Sequence, residues 1–202
     1  MTAEQQGSGS GRLARIGAVE ASLIGAAGVG SVSVSLAAAP GWSGAAGAGL
    51  AGLMLAIAVI DRRRLVIPDE LNGLALIAGV TAAGFGTETP AEAAILGSLL
   101  RAGVMFVLFF VFRAGYRGLR GREGMGLGDV KLAAVAGAWL DWVDLPIAVD
   151  IAALSALAAV LIQRVRVVGF DPQAKLPFGT FFAPAIWICW LLAAWRGDWA
   201  LS

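Results

Sequence analysis

The chain has 202 residues, of which 58% are hydrophobic and 14% charged, and its formal net charge is +1. This composition indicates an integral membrane protein and argues against a soluble one. There is no histidine, which excludes Ser-His and Cys-His nucleophile systems and removes the commonest metal ligand. The single cysteine, Cys189, excludes an intrachain disulfide and is interpreted as a packed apolar residue, so catalysis would fall to Asp, Glu, Lys or Arg.

Residues 1–11 are polar and rich in Gly and Ser, a composition typical of a disordered tail. Residues 12–202 are predicted to form a single membrane-embedded domain, with its motifs within about residues 50–195. Some of its apolar segments approach the length of about 20 residues that spans a bilayer, whereas the third and fifth would need neighbours or tilt. The sequence therefore predicts an all-α, polytopic bundle of about seven transmembrane helices, at residues 16–39, 42–60, 71–85, 91–112, 130–140, 147–162 and 178–195.

The first segment has a second interpretation as a signal peptide. Arg12 and Arg15 precede an apolar stretch that ends in "LAAAP", a pattern resembling a cleavage site. Glu20 and the length of the segment favour a retained span. In both cases the second segment starts outside the cell, so the topology of the remaining segments is the same.

The loops alternate in basic charge. "GRLAR", "DRRRLVIPDE", "RAGYRGLRGREG" and "QRVRVVGFDPQAK" are basic, whereas "PGWSG", "GTETPAE" and "DWVDL" contain neither Lys nor Arg. By the positive-inside rule the first group is cytoplasmic, which places the N-terminus inside and the C-terminus outside. The second segment is rich in Gly and Ala, which predicts close helix contact in the bilayer.

Asp61 is unusual because it lies at the predicted cytoplasmic end of the second segment. A carboxylate at the C-terminus of a helix opposes the helix dipole, so helix stability does not explain it. The alternative is an interfacial Asp offset by residues 62–64, three arginines that themselves suit a topology-setting cluster. Pro68 breaks the path before the third segment, and Asp69 is predicted to be that helix's N-cap.

Asp129 lies in "GLGDVK", just before the fifth segment, and also suits a helix N-cap. Lys131 is predicted to reach the cytoplasmic interface by snorkelling. Asp61 and Asp129 would lie at the same side of the membrane, where two partly desolvated carboxylates share a proton. One could take a proton from water while the other polarises a peptide carbonyl, which hydrolyses amides without His, Ser or metal. The sequence leaves open which aspartate has which role.

At these residues the chain resembles the type IV prepilin peptidases, a family of membrane aspartyl proteases. The family signature is an Asp six residues before an I-P-[DN] element, followed later by G-x-G-D-x-K, and "DRRRLVIPD" and "GLGDVK" match it. A third element, "KLPFGTFFAPA", is similar to the family's I-P-F-G-P-F segment, with Thr180 where the family often has Pro. This difference is expected to affect helix entry and to leave the chemistry unchanged.

The resemblance implies that Asp61 and Asp129 are the catalytic pair. It also implies that Gly126 and Gly128 give the substrate access, and that Lys131 and Pro68 shape the site. The expected substrate is a prepilin- or pseudopilin-like single-span protein, whose leader is cut at the cytoplasmic face of the inner membrane. No cofactor, metal or nucleic acid is expected.

Larger members of this family carry a cysteine-bearing cytoplasmic insertion and also methylate the new pilin N-terminus. Here "APGWSG" is all that joins the first two segments. The sequence therefore predicts the compact, peptidase-only form.

A function of another class is a transporter or membrane scaffold. Glu20, Arg101 and Asp150 are charges inside apolar segments, and such residues often mark transport pathways. They are equally compatible with interhelical ion pairs.

Overall fold

The structure is a computed structural model that describes residues 3–85, 89–121, 124–166 and 176–197, with side chains described from residue 17 onward. Parts of the predicted tail and of the loops "GTETPAE", "RAGYRGLRGREG" and "QRVRVVGFDPQAK" lie outside these ranges, as does Lys175 of "KLPFGTFFAPA". Within them the backbone forms seven α-helices and no strand: α1 (Ala3–Ala38), α2 (Gly41–Arg64), α3 (Asp69–Ala83), α4 (Ala91–Arg120), α5 (Leu127–Trp139), α6 (Asp144–Arg166) and α7 (Gly179–Arg196). Each predicted segment corresponds to one helix, so the all-α prediction is confirmed.

Five of these helices are long and apolar enough to cross a membrane. They are α1 from Gly17 onward, α2, α4, α6 and α7, counted over the described residues. In a bilayer the backbone polar groups must be satisfied within the chain, which is why apolar runs of this length become helices. The chain is therefore a multi-pass membrane protein.

The helices α3 and α5 are shorter, with 15 and 13 residues. At 1.5 Å per residue they extend only about 20 Å, against roughly 30 Å for the hydrocarbon core. Nearly the whole of α5 is buried, from Val130 to Ala138 with only Lys131 partly exposed, because α3, α4 and α7 pack around it. The sequence prediction that the short segments need neighbours is confirmed for α5.

Small residues bring the long helices together, as the composition of the second segment predicts. A Cβ atom on Gly47 of α2 would lie 1.8 Å from the ring of Trp190 on α7, so only glycine fits there. A Cβ on Gly137 of α5 would lie 2.5 Å from the backbone of Arg101 on α4. These contacts hold α2 against α7 and α5 against α4 in the absence of a hydrophobic driving force between helices in lipid.

The helix α1 extends toward the N-terminus beyond its apolar part. The backbone is helical from Ala3, within the segment for which a disordered tail is predicted. A helix already formed by the apolar residues that follow can extend toward the N-terminus at one hydrogen bond per residue, without a new nucleus. The division into a tail and a single membrane-embedded domain stays a prediction.

Candidate active site

Asp61 is buried, with 5% of its surface exposed, although the three arginines that follow it are exposed. Its carboxylate Oδ2 accepts a hydrogen bond of 2.8 Å from the backbone N–H of Thr180, in the first turn of α7. The Thr180 hydroxyl Oγ1 lies 3.3 Å from the same oxygen. Asp61 therefore faces α7 and its backbone donors, and the interpretation that residues 62–64 simply offset its charge is not supported.

Asp129 lies in the first turn of α5, three residues after the N-cap Gly126. Its Oδ2 accepts a hydrogen bond of 3.2 Å from the backbone N–H of Gly126. Asp129 thus satisfies one of the free donors at the start of α5, although it is not the N-cap residue itself. Helix capping explains this one contact only, and Asp129 also interacts electrostatically with Asp61.

Gly179 lies where the two carboxylates meet. Its backbone N–H acts electrostatically on the carboxylates of both Asp61 and Asp129. A Cβ atom at this position would lie 3.0 Å from Oδ2 of Asp61 and 2.6 Å from Cδ1 of Ile67. Glycine at the start of α7 therefore lets the helix N-terminus approach both aspartates closely, where its positive end favours negative charge.

Asp129 lies outside the five candidate membrane spans, and its surroundings change its proton affinity. Burial, together with the negative charge of Asp61, raises the pKa of Asp129 to about 6, and the backbone N–H groups of Gly126 and Gly179 partly oppose this rise. Two neighbouring carboxylates cannot easily both ionise. The pair therefore retains one proton at a higher pH than an isolated aspartate would.

Ile67, the residue before Pro68, lies between the N-termini of α5 and α7. Pro68 is the N-cap of α3, and Ile67 before it is buried. A Cβ on Gly128 would lie 3.0 Å from Cβ of Ile67, so the close approach at Gly128 is made by this side chain. Pro68 thus fixes the turn that inserts Ile67 between Gly128 and Gly179.

Lys131 forms an ion pair with Asp69, with 2.6 Å between Nζ and Oδ1. The pair joins α5 to α3, and the snorkelling predicted for Lys131 stays a prediction. The prediction that Asp69 caps α3 is wrong, because Pro68 is the N-cap and Asp69 is the first helical residue. Since Asp69 is mostly exposed, the pair contributes little to stability, about 0–1 kcal/mol.

The sequence analysis did not single out Asn72 or Arg113, which hold the turn before Asp129. The Asn72 side chain is buried and donates from Nδ2 to the Gly128 carbonyl at 3.3 Å. Arg113 of α4 donates from Nε to the Met125 carbonyl at 3.1 Å. The Met125–Gly126 peptide group therefore accepts from Arg113 on one side and donates to Asp129 on the other. Polar residues at the ends of apolar segments were the only sequence signal for these contacts.

Thr180 requires a correction to the sequence analysis. It does lie at the entry of α7, but its N–H and hydroxyl both contact Asp61, so the expectation that its difference from Pro affects helix entry alone is wrong. The contact could not be predicted because Thr180 and Asp61 are 119 residues apart in sequence.

The three charges of the transporter alternative do not come together. Glu20 pairs with Arg63 at 3.5 Å, near the end of α2 that carries Asp61. Arg101 pairs with Asp141 at 3.1 Å and donates to the Gly137 carbonyl, and Asp150 is exposed. Two of the three are thus members of separate ion pairs, and they line no common site.

Among the described residues, no group of three or more Cys, Asp or Glu side chains could hold a metal ion. The groups that meet around Asp61 and Asp129 are the two carboxylates, backbone N–H donors and the Thr180 hydroxyl. Fold and site together define a polytopic membrane protein with a carboxylate pair between α2, α5 and α7.

Comparison with known proteins agrees with this description. Residues 48–162 match the model of the type IV leader peptidase family. The chain is 33% identical over 174 residues to a prepilin leader peptidase/N-methyltransferase of Aeromonas salmonicida, covering 85% of this chain and 57% of that protein. It is 40% identical over 149 residues to the protein of the same name from Burkholderia pseudomallei, covering 71% of this chain and 45% of the relative.

The chain belongs to the type IV leader peptidase family, since the family model covers more than half of it. It spans about half the length of the curated relatives it matches. No solved structure gives a significant match to it.

Proposed function

We propose that the chain is a membrane aspartyl endopeptidase that removes the short leader peptide of a prepilin- or pseudopilin-like single-span protein. The observation that carries the proposal is that Asp61 of α2 and Asp129 of α5 lie close enough to interact electrostatically, beside the N-terminus of α7. Both belong to the motifs that resemble the family signature. The family membership supports the same activity.

In the proposed reaction the pair holds one proton. The ionised aspartate takes a proton from water as the water oxygen attacks the peptide carbonyl carbon, and the protonated aspartate donates to the carbonyl oxygen. When the tetrahedral intermediate collapses, the first aspartate returns its proton to the leaving amine and the second recovers its proton from the intermediate. Both aspartates end in their starting states, and no other side chain is required.

The proposed orientation places the aspartate pair at the cytoplasmic face of the inner membrane, with the N-terminus inside and the C-terminus outside. The basic last turns of α2, α4 and α6 support it, because residues 62–64, Arg117, Arg120, Arg164 and Arg166 lie at helix ends that the positive-inside rule assigns to the cytoplasm. The N-termini of α5 and α7, which carry the other site residues, follow the last turns of α4 and α6 in the chain.

The substrate is proposed to be cut where its leader meets its hydrophobic helix. There the backbone is not yet locked in intrahelical hydrogen bonds and can enter the site. Gly126 is exposed beside Asp129, which supports its proposed role in admitting a substrate backbone. The basic loops would repel a basic leader, so recognition is proposed to rest on apolar packing of the substrate helix in the bilayer.

The proposal covers peptide cleavage only and includes no methyl transfer. It is tested by co-expressing the chain with candidate prepilin-like proteins from the same genome and weighing their N-terminal fragments. The expected result is loss of a short leader on the cytoplasmic side of one candidate, with no added methyl group when the purified chain is supplied with S-adenosylmethionine. Cleavage in the outer half of the substrate helix, or no cleavage of any candidate, would contradict the proposal.

A further inference from the structure

The two aspartates receive different hydrogen bonds. Oδ2 of Asp61 is 2.8 Å from the N–H of Thr180, and the Thr180 hydroxyl lies 3.3 Å from the same oxygen. Oδ2 of Asp129 is 3.2 Å from the N–H of Gly126. The N–H of Gly179 acts electrostatically on both carboxylates. Asp61 therefore has the shorter backbone bond and one additional hydroxyl.

A backbone N–H can only donate, so it favours a carboxylate that accepts over a carboxyl group that must also donate its own proton. The hydrogen bonds from Thr180 of α7 thus stabilise the ionised form of Asp61. The single hydrogen bond from Gly126 stabilises the ionised form of Asp129 less.

The charged groups around the pair do not reverse this order. Lys131 of α5 is held by Asp69 of α3 at 2.6 Å, and Arg63 at the end of α2 is held by Glu20 of α1 at 3.5 Å. On the α7 side the groups that face Asp61 are the Gly179 and Thr180 donors. The charge that acts on Asp129 is that of Asp61 itself.

We propose that Thr180 is a positioning residue that keeps Asp61 ionised, so that Asp61 is the general base and Asp129 the general acid. This assignment rests on the proposed function. Asp61 would then take the proton of the attacking water, and Asp129 would donate the shared proton to the peptide oxygen. A proline at position 180 would have neither the N–H nor the hydroxyl, so the proposed role depends on Thr180.

The Thr180 hydroxyl suits both protonation states of the base. Oγ1 lies 3.3 Å from the Ala58 carbonyl oxygen and 3.3 Å from Oδ2 of Asp61, and it has one proton to donate. It can donate to Asp61 while Asp61 is ionised. Once Asp61 has taken a proton from water, the hydroxyl can turn to the Ala58 carbonyl and accept from Asp61. The site would therefore lose no hydrogen bond during the cycle.

The test compares Thr180→Val, which keeps the N–H and the shape but lacks the hydroxyl, with Thr180→Ser, which keeps both donors. The measurement is the pH dependence of kcat/KM for leader cleavage. On the acidic side of the profile, kcat/KM falls as the base becomes protonated, and in Thr180→Val this acid limb should move to higher pH by about one unit. At a pH below the limb, kcat/KM should then be about tenfold lower than in wild type, as expected for a lost hydrogen bond to a charged group. Thr180→Ser should match wild type, and Thr180→Pro should shift the limb further.

A uniform loss of rate in Thr180→Val at every pH, without a shift of the acid limb, would indicate a merely structural role and overturn the proposal. A second measurement does not depend on cleavage. In an Asp129→Asn background, infrared difference spectra follow the carboxyl C=O band of Asp61 during a pH titration. Adding Thr180→Val should raise the pH at which this band disappears, whereas an unchanged midpoint would overturn the assignment even if the peptidase activity is confirmed.

Discussion

The backbone N–H of Thr180 donates a 2.8 Å hydrogen bond to the carboxylate of Asp61, across 119 residues of sequence. This bond fixes the N-terminus of α7 against the end of α2. Gly179, the residue before it, has no side chain to separate the helix end from the carboxylates. The geometry of the aspartate pair therefore depends on the position of α7 as well as on α2 and α5, which carry the aspartates.

Replacing Gly179 with Ala should impair cleavage. The new Cβ would lie 2.6 Å from Ile67 and 3.0 Å from Asp61 Oδ2, and Ile67 cannot easily yield because it is also wedged against Gly128. We expect kcat/KM to fall at least about tenfold, since small displacements of catalytic groups are costly. The strain should destabilise the fold by about 1–3 kcal/mol. Gly103→Ala on α4 is the matched control, because its Cβ would meet nothing within 4 Å. Equal kinetics for the two variants would contradict the packing described at Gly179.

The kcat/KM of cleavage should begin to fall as the pH rises above about 6. The raised pKa of Asp129, about 6, means that this group holds a proton below that pH and loses it above. If Asp129 is the acid, kcat/KM declines up to tenfold per unit as the pH rises beyond this value, and the titration belongs to the coupled pair. Assays from pH 5 to 8, with samples returned to pH 5.5 to check reversibility, measure it. A rate that increases steadily to pH 8 would be inconsistent with an acid on the pair.

Cysteine accessibility tests whether the two aspartates share one face of the membrane. Cys189 is the single cysteine of the chain, so a Cys189→Ala background has no thiol that could react with the reagent. Single cysteines at the exposed positions Arg63 and Arg120 should react with impermeant reagents only from the cytoplasmic side, and cysteines at Thr87 and Trp142 only from outside. Labelling of Arg63→Cys and Arg120→Cys from opposite sides would separate the aspartates and exclude the pair.

Arg101→Leu distinguishes the peptidase from a transporter that uses the intramembrane charges. Arg101 is mostly buried, with 3.1 Å to Asp141, and it contacts the Gly137 carbonyl. Loss of these contacts should destabilise the protein by on the order of 1–3 kcal/mol, seen as a lower Tm in detergent. Cleavage per folded molecule should remain near wild type. Loss of cleavage in a folded Arg101→Leu protein would show that this charge belongs to the function.

Much of the fold follows from the sequence because apolar runs in a bilayer have few alternatives to helices. The segment positions, the close packing at Gly47 and the need of α5 for neighbours could all be predicted from residue type and length. Asp61 could be singled out because a carboxylate at the C-terminus of a helix lacks a local explanation, and Asp129 because the predicted topology puts it at the same side of the membrane as Asp61.

The contacts made across the bundle could not be predicted in this way. Thr180 contacts the Asp61 carboxylate, Asn72 the Gly128 carbonyl and Arg113 the Met125 carbonyl. The hydropathy pattern contains no information on which helices are neighbours. Local rules also favoured the wrong partner for Asp69. A cap is the usual role of Asp at a helix start, whereas the tertiary structure pairs it with Lys131.

The most direct measurement of the central claim is cleavage of a prepilin-like substrate by purified Asp61→Asn and Asp129→Asn proteins. An amide can neither accept the proton of water nor donate the shared proton, so each variant should lose at least about a hundredfold to a thousandfold in kcat while remaining folded and inserted. Asp69→Asn is the control, because its ion pair with Lys131 is largely exposed, and it should retain activity close to wild type. Substantial turnover by either Asp61→Asn or Asp129→Asn would contradict the aspartyl mechanism.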